Sequence, residues 1–295
     1  MKKIAVLGST GMIGSGLIAA MAESNFDIIE FNRAGKSTTP GTISRKIDVL
    51  TDDWQKELQL SEPFDYVINA IGLIRHKIDT QNPESLQDAI RVNSLFPLQL
   101  DQFSTEVGFK VIQIGTDCVF SGSKGSYDEN STFDPYDVYG RTKVLGESLL
   151  TNTFTLRVSV VGKELSTSTE LMSWVLNQPH KAILQGFENH IWNGVTPLQL
   201  AKVLTFVMES KITHTNTHHL VPGDKISKYQ LLRMIADIGG REDIKVEPFS
   251  TAHTVDRSLS TSHSKQNEML WLGAGYEKAP LIGDMIREYE TWANF

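Results

Sequence analysis

Short apolar runs alternate with longer stretches of helical periodicity from the start of the chain to Val160. Such alternation is typical of βαβ units, whose parallel strands are buried on both faces. The predicted strands are Ile4–Leu7, Ile28–Phe31, Tyr66–Ala70, Val111–Ile114 and Thr155–Val160. The predicted helices are Met12–Ala22, Leu86–Leu100 and Val138–Leu150. We therefore expect an α/β fold built on a parallel sheet.

The pattern becomes less regular in the second half of the chain. Helices are predicted there at Glu170–Asn177, Leu198–Ser210, Lys228–Asp237 and Pro280–Thr291. Ser/Thr-rich stretches at residues 166–169 and 258–264 are predicted loops. We expect a first domain over residues 1–165 and a smaller mixed α/β, substrate-binding lobe over residues 166–295, with some segments of the lobe returning to the first domain.

Composition narrows the class of protein. The chain has 295 residues, of which 40% are hydrophobic and 21% charged, so it can bury a large core. Its net charge of −7 and the lack of a Lys/Arg run argue against nucleic acid as a partner. The single cysteine, Cys118, and the absence of zinc-ligand spacing predict no disulfide, no metal site and a reducing cytoplasm as the location. Glycines interrupt the apolar N-terminal run, which therefore predicts neither a signal peptide nor a membrane helix.

A glycine-rich turn follows the first predicted strand. The stretch GSTGMIG places Gly8, Gly11 and Gly14 between that strand and an amphipathic helix. Glycines allow a tight turn there and let backbone N–H groups at the helix N-terminus approach a pyrophosphate. The spacing thus predicts a dinucleotide site in a Rossmann doubly wound sheet. The other predicted contacts in this turn are Thr10, Met12 and Ile13.

The end of the second strand bears on the choice of cofactor. It carries Asn32 and Arg33 where an NAD site normally presents a carboxylate to the ribose 2′-hydroxyl. Arg33 can instead form charge-assisted bonds to a 2′-phosphate, which favours NADP(H). Glu30 lies close by and keeps NAD(H) as the alternative. The remaining predicted cofactor contacts follow the third and fourth strands: Asp48, Val49, Ala70, Ile71 and Gly72.

Tyr139 and Lys143 lie four residues apart in DPYDVYGRTKVLGE. On a helix this spacing puts both side chains on one face, one turn apart. An ammonium near a phenol favours the phenolate, so we expect a depressed pKa for Tyr139 and a role as general acid/base. The motif is common by chance, but it gains specificity when it follows a dinucleotide turn.

These motifs together resemble the extended short-chain dehydrogenase/reductase superfamily, and within it the dTDP-4-dehydrorhamnose reductase-like group. That group reduces keto sugars carried on nucleotides. The resemblance is carried by GSTGMIG, NAIG, RVNSLFP, IGTDCVFSGSKGSYDE, YGRTK, TLRVSVVG and WNGVTPLQLAKV, and it is looser after the last of these.

The resemblance implies NADPH-dependent reduction of a keto group on a nucleotide-linked 6-deoxy sugar, in the synthesis of polysaccharide or cell-surface glycan precursors. By matching motifs, Tyr139 is the acid, Lys143 its partner and Thr116 the hydroxyl that orients the carbonyl oxygen. Asn93 would belong to the cofactor side and support a proton relay through the lysine. The implied partner is a nucleotide sugar, and we also expect that the protein can form a homodimer.

The chain departs from the group beside the sugar. Typical members carry tyrosine in place of Cys118 and tryptophan in place of Val160, so these two residues and Asp117 are expected to shape the sugar pocket. Trp192 and Asn193 are predicted to reach the base or the sugar, although a tryptophan here can equally belong to the core. The Arg75–Lys77 segment is read as solvated.

Two alternatives stay open. Some relatives use a cysteine at the position of Cys118 as an acid/base that epimerises carbons beside the carbonyl, so a bifunctional epimerase-reductase is one alternative. Other family members bind NADP as regulatory subunits and do not act on sugars. Dehydratases require an acidic pair after the threonine, and here Asp117 precedes Cys118, so dehydration is disfavoured.

Overall fold

The structure is a computed structural model that describes residues 1–61, 63–147, 150–165, 168–210 and 216–293. Its strands are β1 (Lys2–Leu7), β2 (Phe26–Asn32), β3 (Ile43–Lys46), β4 (Tyr66–Asn69), β5 (Lys110–Gly115), β6 (Thr153–Arg157), β7 (Ile183–Phe187), β8 (His190–Trp192), β9 (Thr217–His219), β10 (Ile226–Ser227), β11 (Lys245–Phe249) and β12 (Val255–Asp256). Seven of them form one parallel sheet in the order β3-β2-β1-β4-β5-β6-β9. This confirms the predicted doubly wound sheet, whose order reverses between β1 and β4.

The helices are α1 (Met12–Met21), α2 (Trp54–Gln59), α3 (Pro83–Ile90), α4 (Phe96–Val107), α5 (Val138–Glu147), α6 (Leu171–Leu176), α7 (Pro197–Glu209), α8 (Lys228–Ile238), α9 (Ser264–Gly273) and α10 (Ile282–Ala293). Within the described ranges, no helix is long and apolar enough to cross a membrane.

Alternate residues of β1 enter two separate cores. Ile4 and Val6 belong to the core that contains residues of α1 and α7. Ala5 and Leu7 belong to the core that contains residues of α2 and α4. All four side chains are at most 1% exposed, so both faces of the strand are covered. This explains why the sequence shows a continuous apolar run instead of an alternating one.

The second half of the chain builds two small sheets. β7 pairs with β11, and β8 lies between β10 and β12. α7 nevertheless packs on α1, and β9 extends the large sheet beside β6. The domain boundary predicted between residues 165 and 166 stays a prediction, because residues 166 and 167 lie outside the described ranges.

The helix predicted at Leu86–Leu100 consists of two α-helices joined by a π-helical turn at Arg91–Leu95. Pro83 lies in the first turn of α3, where the missing N–H costs no hydrogen bond, whereas Pro97 follows the π-helical turn without a break in the helix. The π-helical turn shifts the register of the helix at Asn93, a candidate site residue.

The hydrophobic pattern does not predict α2, α9 or the small sheets. α2 has only six residues, and α9 begins inside the Ser-rich stretch that was predicted as a loop. The apolar residues of α9 that find a core, Leu270 and Trp271, do so through tertiary contacts that periodicity does not reveal. The predicted helix Val138–Leu150 ends at Glu147 in the described part of the chain, and residues 148 and 149 lie outside it.

A seam joins the second half of the chain to the first, where residues 256–260 run beside residues 121–127. The Asp256 N–H donates to the Gly122 carbonyl at 2.7 Å, and the Tyr127 N–H donates to the Ser258 carbonyl at 2.9 Å. The buried side-chain amide of Asn193 fastens the seam, because it forms hydrogen bonds of 2.7 Å with both the N–H and the carbonyl of Leu259. The seam carries Arg257 to the neighbourhood of Phe120, where the Arg257 Nε donates to the Phe120 carbonyl at 3.0 Å.

Replacing Asn193 with alanine should lower the free energy of unfolding by about 3 kcal/mol, because two buried backbone groups of Leu259 lose their partner. Asn130→Ala is the matched control, since Asn130 is exposed and should change stability by less than about 0.5 kcal/mol. Urea unfolding of both variants measures the difference. Equal midpoints would show that the Asn193 amide does not fasten the seam.

Candidate active site

The glycine turn after β1 is shaped to receive a pyrophosphate. Gly8 has φ +84°, and a Cβ on Gly14 would lie 2.3 Å from the Gly8 carbonyl oxygen. α1 then begins with Gly11 as its N-cap, without a side-chain cap and without an acidic residue in its first turn. The first N–H groups of a helix have no intrahelical partner, and the residues just before them here, Thr10 and Gly11, are exposed. The turn and helix start fit the phosphates of a dinucleotide.

The residues at the end of β2 have distinct roles. Glu30 is fully buried, and its carboxylate accepts hydrogen bonds from the Thr38 N–H at 3.0 Å and from the hydroxyls of Thr38 and Thr42. Burial raises the pKa of Glu30, but these hydrogen bonds outweigh it and lower the pKa overall. The carboxylate is thus already used inside the protein, which removes the reason to assign it to a ribose hydroxyl.

Asn32 and Arg33 also have different surroundings: Asn32 forms hydrogen bonds within the protein, and Arg33 is exposed. The Asn32 amide bonds to the Ser9 hydroxyl at 2.8 Å and to the backbone of Ala34 and Lys36, so it shapes the turn. Arg33 follows it with an exposed side chain. Below them, Asp48 accepts from the Leu50 N–H at 3.0 Å, and Val49 packs on the core that contains α2.

The end of β4 links the glycine turn to α5. The space beside Gly8 is filled by Ala70 and Ile71, whose atoms would lie 3.1 Å from a Cβ on Gly8. Asn93 binds the N–H and the carbonyl of Leu73 at 2.8 and 2.9 Å, and its amide also donates to the Thr142 hydroxyl at 3.1 Å. Asn93 therefore fixes the segment after Gly72 against α5; the expected relay through the lysine stays a prediction.

Thr116, Tyr139 and Lys143 meet at the carboxyl end of β5. Thr116 directly follows β5; its hydroxyl accepts from the Cys118 N–H at 3.2 Å and lies close enough to Tyr139 to act against the rise in the pKa of the phenol. Lys143 lies one turn after Tyr139 on α5, is 5% exposed, and its Nζ donates to the Ile114 carbonyl of β5 at 3.2 Å. α5 can pack closely on the turn after β5 because residue 140 is glycine. A Cβ on Gly140 would lie 2.3 Å from the Cys118 carbonyl oxygen. The spacing in sequence thus becomes a cluster of a hydroxyl, a phenol and an ammonium.

The protonation of this cluster differs from the expectation. Burial raises the pKa of Tyr139, and the neighbouring Cys118 raises it further, so the predicted depression by Lys143 is wrong for this state. Burial also lowers the pKa of Lys143, while Glu147 on the next turn counteracts it. The expectation considered one charged neighbour and ignored desolvation. A neutral phenol remains suited to donating a proton.

A buried ion pair lies beneath the cluster. Glu147 Oε2 and Arg157 Nη2 are 2.5 Å apart, and their side chains are 3% and 2% exposed. The other Arg157 nitrogen, Nη1, lies 2.6 Å from Nε2 of His219, and the guanidinium packs 5.0 Å from the ring centroid of Phe133. Burial, then Arg157, lowers the pKa of His219 to about 4, so His219 is a neutral acceptor for Arg157.

Asp117 and Cys118 follow Thr116 in a short 3-10 turn. The Cys118 thiol donates to Asp117 Oδ1 at 3.7 Å. Burial, followed by the charge of Asp117, raises the pKa of the Cys118 thiol to about 12, and burial raises the pKa of Asp117 as well. Cys118 is therefore protonated at neutral pH.

Two cations that the motifs did not single out, Lys228 and Arg257, interact electrostatically with Asp117 and Cys118. Lys228 starts α8, and Arg257 lies in the seam. They are missed from the sequence because the fold brings them from more than 100 residues away. The only sequence signal was the loosening of the resemblance in this half of the chain.

The predicted sugar-side residues of the lobe are placed as follows. Trp192 is 4% exposed, its Nε1 donates to the Ser159 hydroxyl at 2.8 Å, and Lys228 Nζ lies 5.1 Å from the centroid of its ring. Asn193 fastens the seam. Val160 forms a bridge with Val195 next to them. Trp192 thus contacts Lys228, which interacts with Asp117 and Cys118. The side chain of Asn193 is instead occupied by its hydrogen bonds to Leu259.

Arg75 is 65% exposed, which agrees with the reading of its segment as solvated, and it also makes two side-chain contacts. Its Nε lies 3.5 Å from Asp137 Oδ2, and its Nη1 donates to the Tyr136 hydroxyl at 3.3 Å. The Arg257 guanidinium packs 5.2 Å from the centroid of the same Tyr136 ring. Tyr136 thus lies between an arginine of the segment after β4 and one of the seam.

Comparison with known proteins gives a consistent picture. The sequence matches the RmlD substrate binding domain family over residues 1–274. It is 28% identical over 156 residues to the spore coat polysaccharide biosynthesis protein SpsK of Bacillus subtilis, a match that covers 51% of this chain and about half, 48%, of that protein. It is 22% identical over 284 residues to the dTDP-4-dehydrorhamnose reductase of Mycobacterium tuberculosis, covering 93% and 88% of the two chains. The Bacillus anthracis dTDP-4-dehydrorhamnose reductase, solved in complex with NADP, has the same fold with a TM-score of 0.75, at 20% identity over 98% of both chains.

The high thiol pKa of Cys118 predicts low reactivity. At pH 8, iodoacetamide should alkylate the folded protein at least about 100 times more slowly than the urea-unfolded chain, where an ordinary thiol pKa applies. The folded rate should still be rising at pH 10, which mass spectrometry can follow because Cys118 is the single cysteine. A plateau below pH 9 would contradict the burial argument.

Proposed function

The chain belongs to the RmlD substrate binding domain family, and from this premise we propose that it reduces a keto group on a nucleotide-linked 6-deoxy sugar with NADPH. The product would be a precursor of a polysaccharide or cell-surface glycan. The similarity to SpsK supports that setting, since SpsK is a polysaccharide biosynthesis protein. The observation that carries the proposal is the cluster of Thr116, Tyr139 and Lys143 at the carboxyl end of β5.

Each residue of the cluster has a role that its surroundings support. Tyr139, whose raised pKa keeps the phenol protonated, donates its proton to the carbonyl oxygen as negative charge develops there. Thr116 orients that oxygen by a hydrogen bond, as its contact with Tyr139 suggests. Lys143 lies one turn below, where its charge stabilises the phenolate that proton transfer leaves behind.

NADP(H) supplies the hydride when bound. The uncapped start of α1 and the turn at Gly8, Gly11 and Gly14 would hold its pyrophosphate. Exposed Arg33 would bind the 2′-phosphate, and saturated Glu30 would not compete for the ribose. The NADP bound by the Bacillus anthracis reductase agrees with this preference, and NAD(H) remains the alternative cofactor.

The epimerase-reductase is the weaker alternative. Epimerisation beside the carbonyl requires a group that removes a proton from carbon, and a Cys118 thiol with a pKa of about 12 is a poor base at neutral pH. If Cys118 served this reaction, solvent deuterium would enter the sugar carbons beside the carbonyl, and Cys118→Ser would abolish that exchange but spare reduction.

The regulatory-subunit alternative would be expected to lack part of the cluster, and all three residues are present. A cytoplasmic location, supported by the single cysteine, and a homodimer are further parts of the proposal. Sedimentation of the purified chain measures the oligomeric state.

Tyr139→Phe should reduce NADPH oxidation by about 10²–10⁴-fold, because phenylalanine keeps the ring but cannot donate a proton. The assay uses a panel of 4-keto-6-deoxy sugar nucleotides, and fluorescence titration checks that NADPH still binds. Wild-type protein that oxidises NADPH with no member of the panel would favour the regulatory subunit.

Arg33→Ala should weaken NADPH binding by about 10-fold or more and leave NADH binding within about two-fold, since the charge-assisted bonds to the 2′-phosphate are lost. Arg287→Ala is the matched control, because Arg287 is an exposed arginine of α10. An equal loss for both cofactors would instead assign Arg33 to the adenine or to the turn.

A further inference from the structure

Lys228 and Arg257 lie near Asp117 and Cys118, and neither has a close carboxylate partner among the described residues. Lys228 is partly buried, and in the described part of the chain it forms no hydrogen bond through Nζ. Among the same residues, no carboxylate oxygen lies within 4.0 Å of Lys228 Nζ or of the Arg257 guanidinium. Burying an unpaired cation costs desolvation free energy, so the presence of two such cations points to a ligand that compensates their charge.

Aromatic faces hold both cations in place. The Lys228 ammonium lies over Trp192, and the Arg257 guanidinium lies over Tyr136. A cation held over a ring keeps its N–H donors available, because the ring face consumes none of them in a directed bond. Arg257 uses Nε for the Phe120 carbonyl, which leaves the other N–H groups of its guanidinium.

The neighbouring charges do not balance the two cations. Asp117 is the carboxylate that interacts most directly with both, and burial raises its pKa. Burial lowers the pKa of Lys228 to about 8, although Asp117 and Cys118 counteract it. His190 adds no charge to compensate them, since burial and then the same two cations lower its pKa and favour the neutral imidazole. An anion brought into this region would therefore be stabilised by both cations.

Two cations of the same region already have carboxylate partners. Lys225 lies 3.3 Å from Asp256, and Arg75 lies 3.5 Å from Asp137. Both are also more exposed than Lys228. They provide natural comparison residues of the same charge and the same region.

We propose that Lys228 and Arg257 form an oxyanion-binding subsite, adjacent to Thr116–Cys118, that takes an anionic group of the nucleotide-linked sugar. The inference rests on the proposed function for the identity of the ligand. The anion has two chemical sources, the diphosphate of the carrier nucleotide or a carboxylate on the sugar ring. Both offer planar or tetrahedral oxygens that an arginine fork and a lysine ammonium bind well.

The test measures binding of anions and does not depend on turnover. Full-length protein saturated with NADPH, so that its dinucleotide site is filled, is titrated calorimetrically with dTDP, UDP, thymidine, uridine and glucuronate. The variants are Lys228→Met and Arg257→Met, with Lys225→Met as the matched control. Lys228→Arg keeps the charge and should retain most of the affinity.

We expect Lys228→Met and Arg257→Met each to raise the Kd of dTDP or UDP at least 10-fold, with thymidine, uridine and NADPH binding unchanged and Lys225→Met within two-fold of wild type. A loss confined to glucuronate would also support the subsite and identify a sugar carboxylate as its anion. Unchanged affinities for all three anions in folded variants, or equal losses in Lys225→Met, would overturn the proposal.

The result separates this inference from the proposed function. If no keto-sugar nucleotide is reduced but anion binding still depends on Lys228 and Arg257, the reductase fails and the subsite stands. If reduction occurs and the variants bind anions like wild type, the subsite fails and the reductase stands. Thermal unfolding and NADPH titration show whether each variant is folded, and Arg257→Lys replaces Arg257→Met if the latter is not.

Discussion

The buried ion pair between Glu147 and Arg157 is the interaction on which the candidate active site depends. It joins the end of α5 to β6, and through His219 it joins both to β9 at the edge of the large sheet. Two charges in an apolar interior are expensive, and removing one partner of such a pair typically costs about 3–5 kcal/mol. The pair therefore permits few positions for α5. Because Tyr139 and Lys143 lie on that helix, their place at the carboxyl end of β5 follows from it.

Burial is the main influence on the pKa values of the titratable groups around Tyr139 and Cys118. It raises the pKa values of Tyr139, Asp117 and Cys118, and it lowers those of Lys143 and Lys228. The acids thus tend to keep their protons, and the lysines bind theirs less tightly than in water. These protonation states suit the proposed reduction, in which a neutral donor delivers a proton to an oxygen that gains charge. Desolvation has a larger effect on the pKa of Tyr139 than its attraction to the Lys143 ammonium.

The sequence predicts the large sheet well because its strands are buried on both faces and their apolar runs are local signals. It also predicts the glycine turn and the pair Tyr139 and Lys143, since both depend on spacing within one element. It does not predict that Glu30 is saturated by hydroxyls of the loop after β2, or that Lys228 and Arg257 reach Cys118, because those contacts depend on the packing of distant segments. α9 is missed for a related reason: its helical periodicity is weak, and tertiary contacts bury its apolar residues.

The seam between residues 121–127 and 256–260 joins two halves of the chain that have different proposed roles. The groups proposed to move the proton come from the first half, ahead of residue 150, whereas the cations proposed to hold the substrate's anion come from the second half. Hydrogen bonds of the seam and the amide of Asn193 hold the two sets near each other. Under the proposed function, changes in the second half of the chain therefore alter which sugar is accepted without disturbing α5. One chemical step could in this way be inherited unchanged while its substrates diversify.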